Sequence, residues 1–200
     1  ISGLVKGSTT LTGTAAGLDL TTIPLTVTGK AQLSFNRSSV YVGKGLTTYV
    51  YELYVQRKTD GASYSPDEPV TVTLGTSDAL KAYVPGGKVT IPAGSASAYF
   101  YLNGVDLTGA TPGQIDASAS GYVSAATKLA VNVIAPTFDV NAMDTNRTPE
   151  SARDDVYVQA MTPGSSYNGS QTATNDMIID LTVVNANPAG IIDGIYAVAS

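Results

Sequence analysis

The chain has 200 residues, of which 43% are hydrophobic and 14% charged, and its net charge is −5. A mildly acidic chain with no basic cluster lacks the electrostatic footprint of a nucleic-acid binder. It contains no Cys, His or Trp, which excludes disulfides, thiolate nucleophiles and Cys- or His-ligated metals, and removes the commonest general base.

With 20 Gly and 10 Pro among abundant Thr and Ser, the composition suits many short strands joined by turns. No apolar run approaches the roughly 18 residues that span a bilayer. The start at Ile1, without an initiator Met or signal peptide, reads as processing or as a window on a longer chain. Residues 1–30 predict three short strands, near Gly3–Lys6, Thr9–Ala15 and Thr21–Thr28, broken at Gly7, Gly13 and Gly17. Three such strands cannot close a core by themselves.

Residues 31–135 predict seven or eight strands, enough for one sandwich of about 100 residues. Gln32–Asn36 and Val40–Val42 open it, and Thr47–Gln56 follows as one long strand. Strict alternation there puts Tyr49, Tyr51, Leu53 and Val55 on the predicted core face, with Val50, Glu52, Tyr54 and Gln56 on the other. Val70–Asp78, Lys88–Leu102 and Gln114–Tyr122 alternate apolar residues with Thr, Ser or Ala, and Gly86-Gly87, Pro92-Ala93-Gly94 and Ser120-Gly121 punctuate them.

Three of these pieces carry a family likeness: Val70-Thr-Val-Thr-Leu74, Val89-Thr-Ile-Pro-Ala-Gly94 with the alternating strand behind it, and Ala117-Ser-Ala-Ser-Gly-Tyr122. They resemble the immunoglobulin-like repeats of bacterial secreted and cell-surface proteins, closely over about half of one repeat. The resemblance implies an all-β chain of tandem immunoglobulin-like β-sandwiches in an extracellular or cell-surface setting. It says little about role, since such modules serve as spacers, adhesins and filament subunits.

Residues 136–200 begin the same pattern again. At a constant shift of 103, Phe35 falls on Phe138, Tyr54-Val55-Gln56 on Tyr157-Val158-Gln159, and Gly61, Ser63 and Tyr64 on Gly164, Ser166 and Tyr167. Leu53 falls on Val156 and Glu52 on Asp155, while Ile178–Val183 stands for the strand Val70–Leu74. Much of Ala79–Ile91 then has no counterpart before Pro188-Ala-Gly190. If Ile1 is written directly after Ser200, Pro188-Ala-Gly190 aligns with Pro92-Ala-Gly94 and continues without a gap. Leu11 then meets Ile115, Ala15 meets Ala119, Gly17 meets Gly121, Leu25 meets Leu129 and Val27 meets Val131. The expected organisation is therefore 31–135 as a complete sandwich, 136–200 as the first part of a second, and 1–30 as the closing strands of a neighbouring one.

An open half-sandwich is an assembly site, because unpaired strand edges recruit other strands. The partner expected is the chain itself, joined head to tail by strand complementation or by covalent repeat continuity. The contact would bury Leu11, Leu18, Ile23, Leu25 and Val27 against Ile178, Leu181 and Val183. Twelve Tyr stand against three Phe, and the recurring Tyr54, Gln56, Tyr157 and Gln159 are candidate outer-face contacts. Asn36, Asn146 and Asn168 head Asn-x-Ser/Thr sequons and are candidate glycan acceptors. Asp67-Glu68, Asp154-Asp155, Asp176 and Asp180 lack calcium-loop spacing. No pair of carboxylates and no nucleophile motif stands out, so no enzyme activity, catalytic residue, metal or cofactor is expected. The reading is a structural segment of an extracellular filament, stalk or surface array. An adhesin or carbohydrate-binding module is the alternative, and an accessory domain of a secreted hydrolase is a weaker third.

Overall fold

Alternating Leu, Val and Ile with Thr and Ser makes strands nearly everywhere. The structure, a computed structural model, describes residues 6–13, 16–17, 21–141, 148, 152 and 156–182. Among these residues the chain is all-β, apart from a 3-10 turn at Pro85–Gly87. In order, the strands are β1 (Gly7–Gly13), β2 (Thr21–Val27), β3 (Gln32–Phe35), β4 (Ser39–Gly43), β5 (Leu46–Thr47), β6 (Leu53–Thr59), β7 (Ala62–Ser63) and β8 (Val70–Thr76). Then come β9 (Ala82–Tyr83), β10 (Lys88–Ile91), β11 (Ser97–Phe100), β12 (Asn103–Gly104), β13 (Gly113–Ser118), β14 (Leu129–Ile134), β15 (Thr137–Asn141), β16 (Tyr157–Met161) and β17 (Thr172–Ala173).

A five-stranded sheet in the order β10-β8-β13-β14-β4 and a smaller sheet β11-β6-β3, with β7 on β6, bury their inner residues in one shared core. Val40, Val42, Val72, Leu74, Ile91, Ile115, Leu129 and Val131 come from the first, and Leu33, Leu53, Val55 and Phe100 from the second. Each such aliphatic side chain contributes roughly 1.5–3 kcal/mol when fully buried. All pairings in the large sheet are antiparallel except β14 with β4, where Val131 lies opposite Val40. That pairing arises because the chain changes sheets between β3 and β4. Asn36 holds the crossing: its Nδ2 donates to the Glu52 carbonyl and its Oδ1 accepts the Tyr54 N–H. A side-chain amide thus replaces the ladder bonds that the backbone gives up there.

The single long strand expected over Thr47–Gln56 is two strands. The chain turns at Val50–Glu52, where the Glu52 N–H donates to the Tyr49 carbonyl, and the turn resets the alternation. Leu53 and Val55 are buried as expected, but Tyr51 is exposed, Tyr49 is half-buried, and Glu52 is buried on the face assigned to solvent. Arg37 explains the last of these, its Nη1 donating to Glu52 Oε1 at 2.9 Å. Burial pushes the Glu52 carboxyl above its usual range, and the Arg37 charge offsets part of that rise.

Arg57 continues the inward face of β6 beyond Leu53 and Val55 and is wholly buried. Among the described residues no carboxylate meets it. Its guanidinium donates to the carbonyls of Glu68, Pro92 and Ser95, and more distantly to the Tyr122 hydroxyl. Backbone dipoles carry the charge, and the fork ties the Pro92-Ala-Gly94 turn to the loop before β8.

In the front segment β1 and β2 form an antiparallel pair joined to no other strand among the described residues, with β1 exposed along its length. Their bounds differ slightly from the expected breaks, since Gly7 and Gly13 end β1 rather than interrupting it. The strand expected near Gly3–Lys6 lies outside the described residues except for Lys6. At the other end, 178–182 contains no strand. This corrects the expected equivalence with Val70–Leu74: alternation alone does not make a strand without a neighbour to pair with.

Candidate functional site

Two features are positioned by this fold: a joint between successive segments, and two open strand pairs. The joint is built by 162–174, which returns from β16 to the complete core. There β17 extends β5, with Thr172 opposite Thr47 and Ala173 opposite Leu46. Gln171 is buried at the centre. Its Oε1 accepts the Gly43 N–H at 2.9 Å and the Thr162 hydroxyl at 2.8 Å, and its Nε2 donates to the Tyr41 carbonyl at 2.8 Å and to Ser165 Oγ at 3.3 Å. Thr174 adds a backbone and a hydroxyl bond to the Gly45 carbonyl. Tyr167 stacks on Tyr49 with ring centroids 4.9 Å apart. Gly43 is required here, because a methyl group at its Cα would overlap Leu46 and press on the Thr162 hydroxyl. Sequence reasoning missed this joint. Gln171 had no motif around it, and the only signal was the repeated turn of Gly61 and Gly164.

Residues aligned by the constant shifts can be compared in the backbone. Gly61 and Gly164 sit at φ 82° and 84°, and Gly17 and Gly121 both at 81°, so both aligned pairs occupy the left-handed region that glycine tolerates. The strand pairs at aligned positions are both antiparallel but differ in register. β3 with β6 places Phe35 opposite Val55, and β15 with β16 places Phe138 opposite Ala160. The shift of 103 would set Phe138 opposite Val158, so the second pair is displaced by two residues. A two-residue displacement leaves every side chain on the same face. The same holds for β1 with β2, where Leu11 lies opposite Ile23, whereas its counterpart Ile115 lies opposite Leu129.

Apolar residues of β1 and β2 are more exposed than the residues aligned with them in 31–135. Leu11 is 49% exposed and its counterpart Ile115 is wholly buried. Leu25 and Val27 are half-buried, and their counterparts Leu129 and Val131 are wholly buried. Ile23, Phe138, Val140, Val156, Ile178 and Leu181 are also exposed, Ile178 at 95%. Leu18 and Val183, grouped with these in the expected interface, lie outside the described residues.

The four candidate outer-face residues separate. Tyr157 is exposed and Tyr54 half-buried, with the Tyr54 ring edge-on to Tyr99. Gln56 is half-buried, opposite Ser97 and Ser34. Gln159 turns back into its own segment, donating to the Gly169 carbonyl and accepting from Asn141. Of the sequons, Asn36 spends its amide on the sheet crossing, Asn168 lies exposed in a turn, and Asn146 is outside the described residues.

Scanned against protein families and against curated proteins, the chain matches none. Among solved structures it is similar to a crystal structure of an S-layer protein, rSbsC(31-844), at 17% identity and a TM-score of 0.43. The match covers 81% of this chain and 20% of that one. This chain therefore spans about a fifth of the length of the structure it matches.

Charge plays a small part in either feature. Lys44 and Lys81 both bond Asp106, holding its carboxyl far below the usual range, and Lys6 bonds Asp60 with the same direction of effect. These groups are exposed or half-buried at the surface, so solvent screens them. Among the described residues no cluster of three metal-ligating side chains forms, and no helix is long and apolar enough to cross a membrane.

Proposed function

We propose that this chain is a structural segment of an elongated extracellular filament, stalk or surface array. It is built from tandem immunoglobulin-like sandwiches, with residues 31–135 as a complete unit and the two flanking segments as halves of neighbouring units. One observation carries the reading: Leu11, Leu25 and Val27, exposed or half-buried on β1 and β2, occupy the sequence positions of Ile115, Leu129 and Val131, which are wholly buried in the complete unit. In the complete core the β13–β14 pair shares its apolar interior with β3 and β6. Placing β1 and β2 of one unit over β15 and β16 of the next rebuilds that arrangement. The neighbour is a second copy of the chain or the next repeat of a longer one, and the physics of the contact is the same. Gln171 and the Tyr49–Tyr167 stack then fix each unit on the one before it, which favours a stiff fibre over a string of loose beads. The role is mechanical rather than catalytic.

A tandem fusion of two copies, with Ser200 joined directly to Ile1, tests this. The fusion holds one half-unit pair that the single chain lacks. Amides of β15 and β16 in the first copy, and of β1 and β2 in the second, are expected to gain hydrogen-exchange protection over the same segments of the single chain. Equal exchange in both proteins would refute the reading.

A further inference from the structure

Five tyrosines form an unbroken line of ring contacts across the outer side of β6 and β11 and onto the joint. Tyr54 meets Tyr99 at 5.5 Å, Tyr99 meets Tyr51 at 5.4 Å, Tyr51 meets Tyr49 at 5.7 Å, and Tyr49 meets Tyr167 at 4.9 Å between centroids. The first three contacts are edge-to-face, at 77°, 85° and 73°. Aromatic packing alone explains the geometry, but not its setting. The chain has 12 Tyr and no Cys, Trp or His. Thiol and indole, the side chains that compete most strongly for one-electron oxidation, are absent. The three Met react instead by oxygen transfer to sulfur. A one-electron oxidant therefore meets phenol first, and a radical formed anywhere along the line has a neighbouring ring in contact to receive it.

We propose that Tyr51 and Tyr99 are an oxidative coupling site that closes into an intramolecular dityrosine crosslink. They are the one contacting pair in this line with both rings half exposed or more, at 60% and 50%. The edge-to-face contact aims ring-edge carbons of one phenol at the other ring, and exposed side chains readily change rotamer to complete the approach. The co-reactant is hydrogen peroxide acting through a haem peroxidase. Each phenol gives up one electron and its hydroxyl proton. The two radicals join through a carbon–carbon bond between the positions ortho to oxygen, and each displaced ortho hydrogen moves to its phenol oxygen as the rings rearomatise. The peroxide takes up the two electrons and two protons and leaves as two waters. The bond would staple the Val50–Glu52 turn to β11, giving a chain without cysteine the covalent reinforcement that disulfides supply elsewhere. This inference stands independently of how successive units meet.

The test treats the dilute chain with peroxidase and one equivalent of hydrogen peroxide, followed by trypsin digestion and fragmentation mass spectrometry. The expected product is a single chain lighter by two hydrogen atoms, joining the peptide Gly45–Arg57 to the peptide Val89–Lys128 through Tyr51 and Tyr99. Its yield should not depend on protein concentration. Tyr51→Phe and Tyr99→Phe should each abolish it, while Tyr101→Phe, at a nearby exposed tyrosine outside the line, should leave it unchanged. Circular dichroism of each variant separates loss of the crosslink from loss of the fold. Absence of the crosslink in the folded wild type, coupling only between chains, or undiminished yield in either of the first two variants would overturn the proposal.

Discussion

Replacing Gln171 with Leu is the sharpest probe of the joint. Leu fills nearly the same space but makes none of the four hydrogen bonds. The Thr162 hydroxyl can rotate, and Ser165 is partly solvated, so those two partners recover. The Gly43 N–H and the Tyr41 carbonyl cannot, because they belong to β4, which is held in its ladder by β14. Two stranded backbone groups cost about 1–3 kcal/mol each, so the joint should weaken by about 2–6 kcal/mol. The loss should be local, since the core of 31–135 does not pass through Gln171. Hydrogen exchange resolves this residue by residue. At tenfold per 1.4 kcal/mol, the Gly43 amide and those of 157–174 should exchange at least about thirtyfold faster, while Val72 and Val131 in the core stay unchanged. Exchange at Gly43 within about threefold of wild type would show that Gln171 does not hold the joint. Gln171→Glu adds a pH signature. It keeps an acceptor for Gly43 but sets a carboxylate against the Tyr41 carbonyl, so the joint should open at neutral pH and close again on acidification.

Three further outcomes follow from the same geometry. Arg57→Met keeps the apolar stem but strands the carbonyls of Glu68, Pro92 and Ser95; urea unfolding should show a loss of about 3 kcal/mol, and a loss below about 1 kcal/mol would mean that water takes over the guanidinium's role. Burial raises the Glu52 carboxyl above its ordinary 4.5, so the folded chain binds that proton more tightly than the unfolded one. Its contribution to stability is complete below pH 4.5 and falls as pH rises through the folded-state value. Glu52→Gln should flatten that part of the pH–stability curve, and a curve that keeps its slope contradicts the assignment. Leu11→Ser with Leu25→Ser should leave the urea midpoint of the 31–135 core unchanged while removing the exchange protection expected at the fusion junction, a pairing that general destabilisation would not produce.

Some of this was legible in one dimension because it is local. Period-2 alternation marks β8, β10, β11 and β13, and a two-residue period needs no knowledge of neighbours. Counting at a fixed shift pairs Gly61 with Gly164, and the two glycines have nearly the same left-handed φ, 82° and 84°.

Other features depend on what meets across the fold. Tyr49 and Tyr51 alternate correctly with Leu53, yet the turn at Val50–Glu52 takes Tyr51 out of the core. Arg57 reads as a surface cation until carbonyls 11, 35 and 38 residues away close around it. Gln171 reads as one polar residue among many until β4, 128 residues back, offers Gly43. Strand periodicity was a property of the chain itself. Burial of a cation, locking of a joint and alignment of five phenols came only from the tertiary structure, because each depends on partners that sequence distance keeps apart.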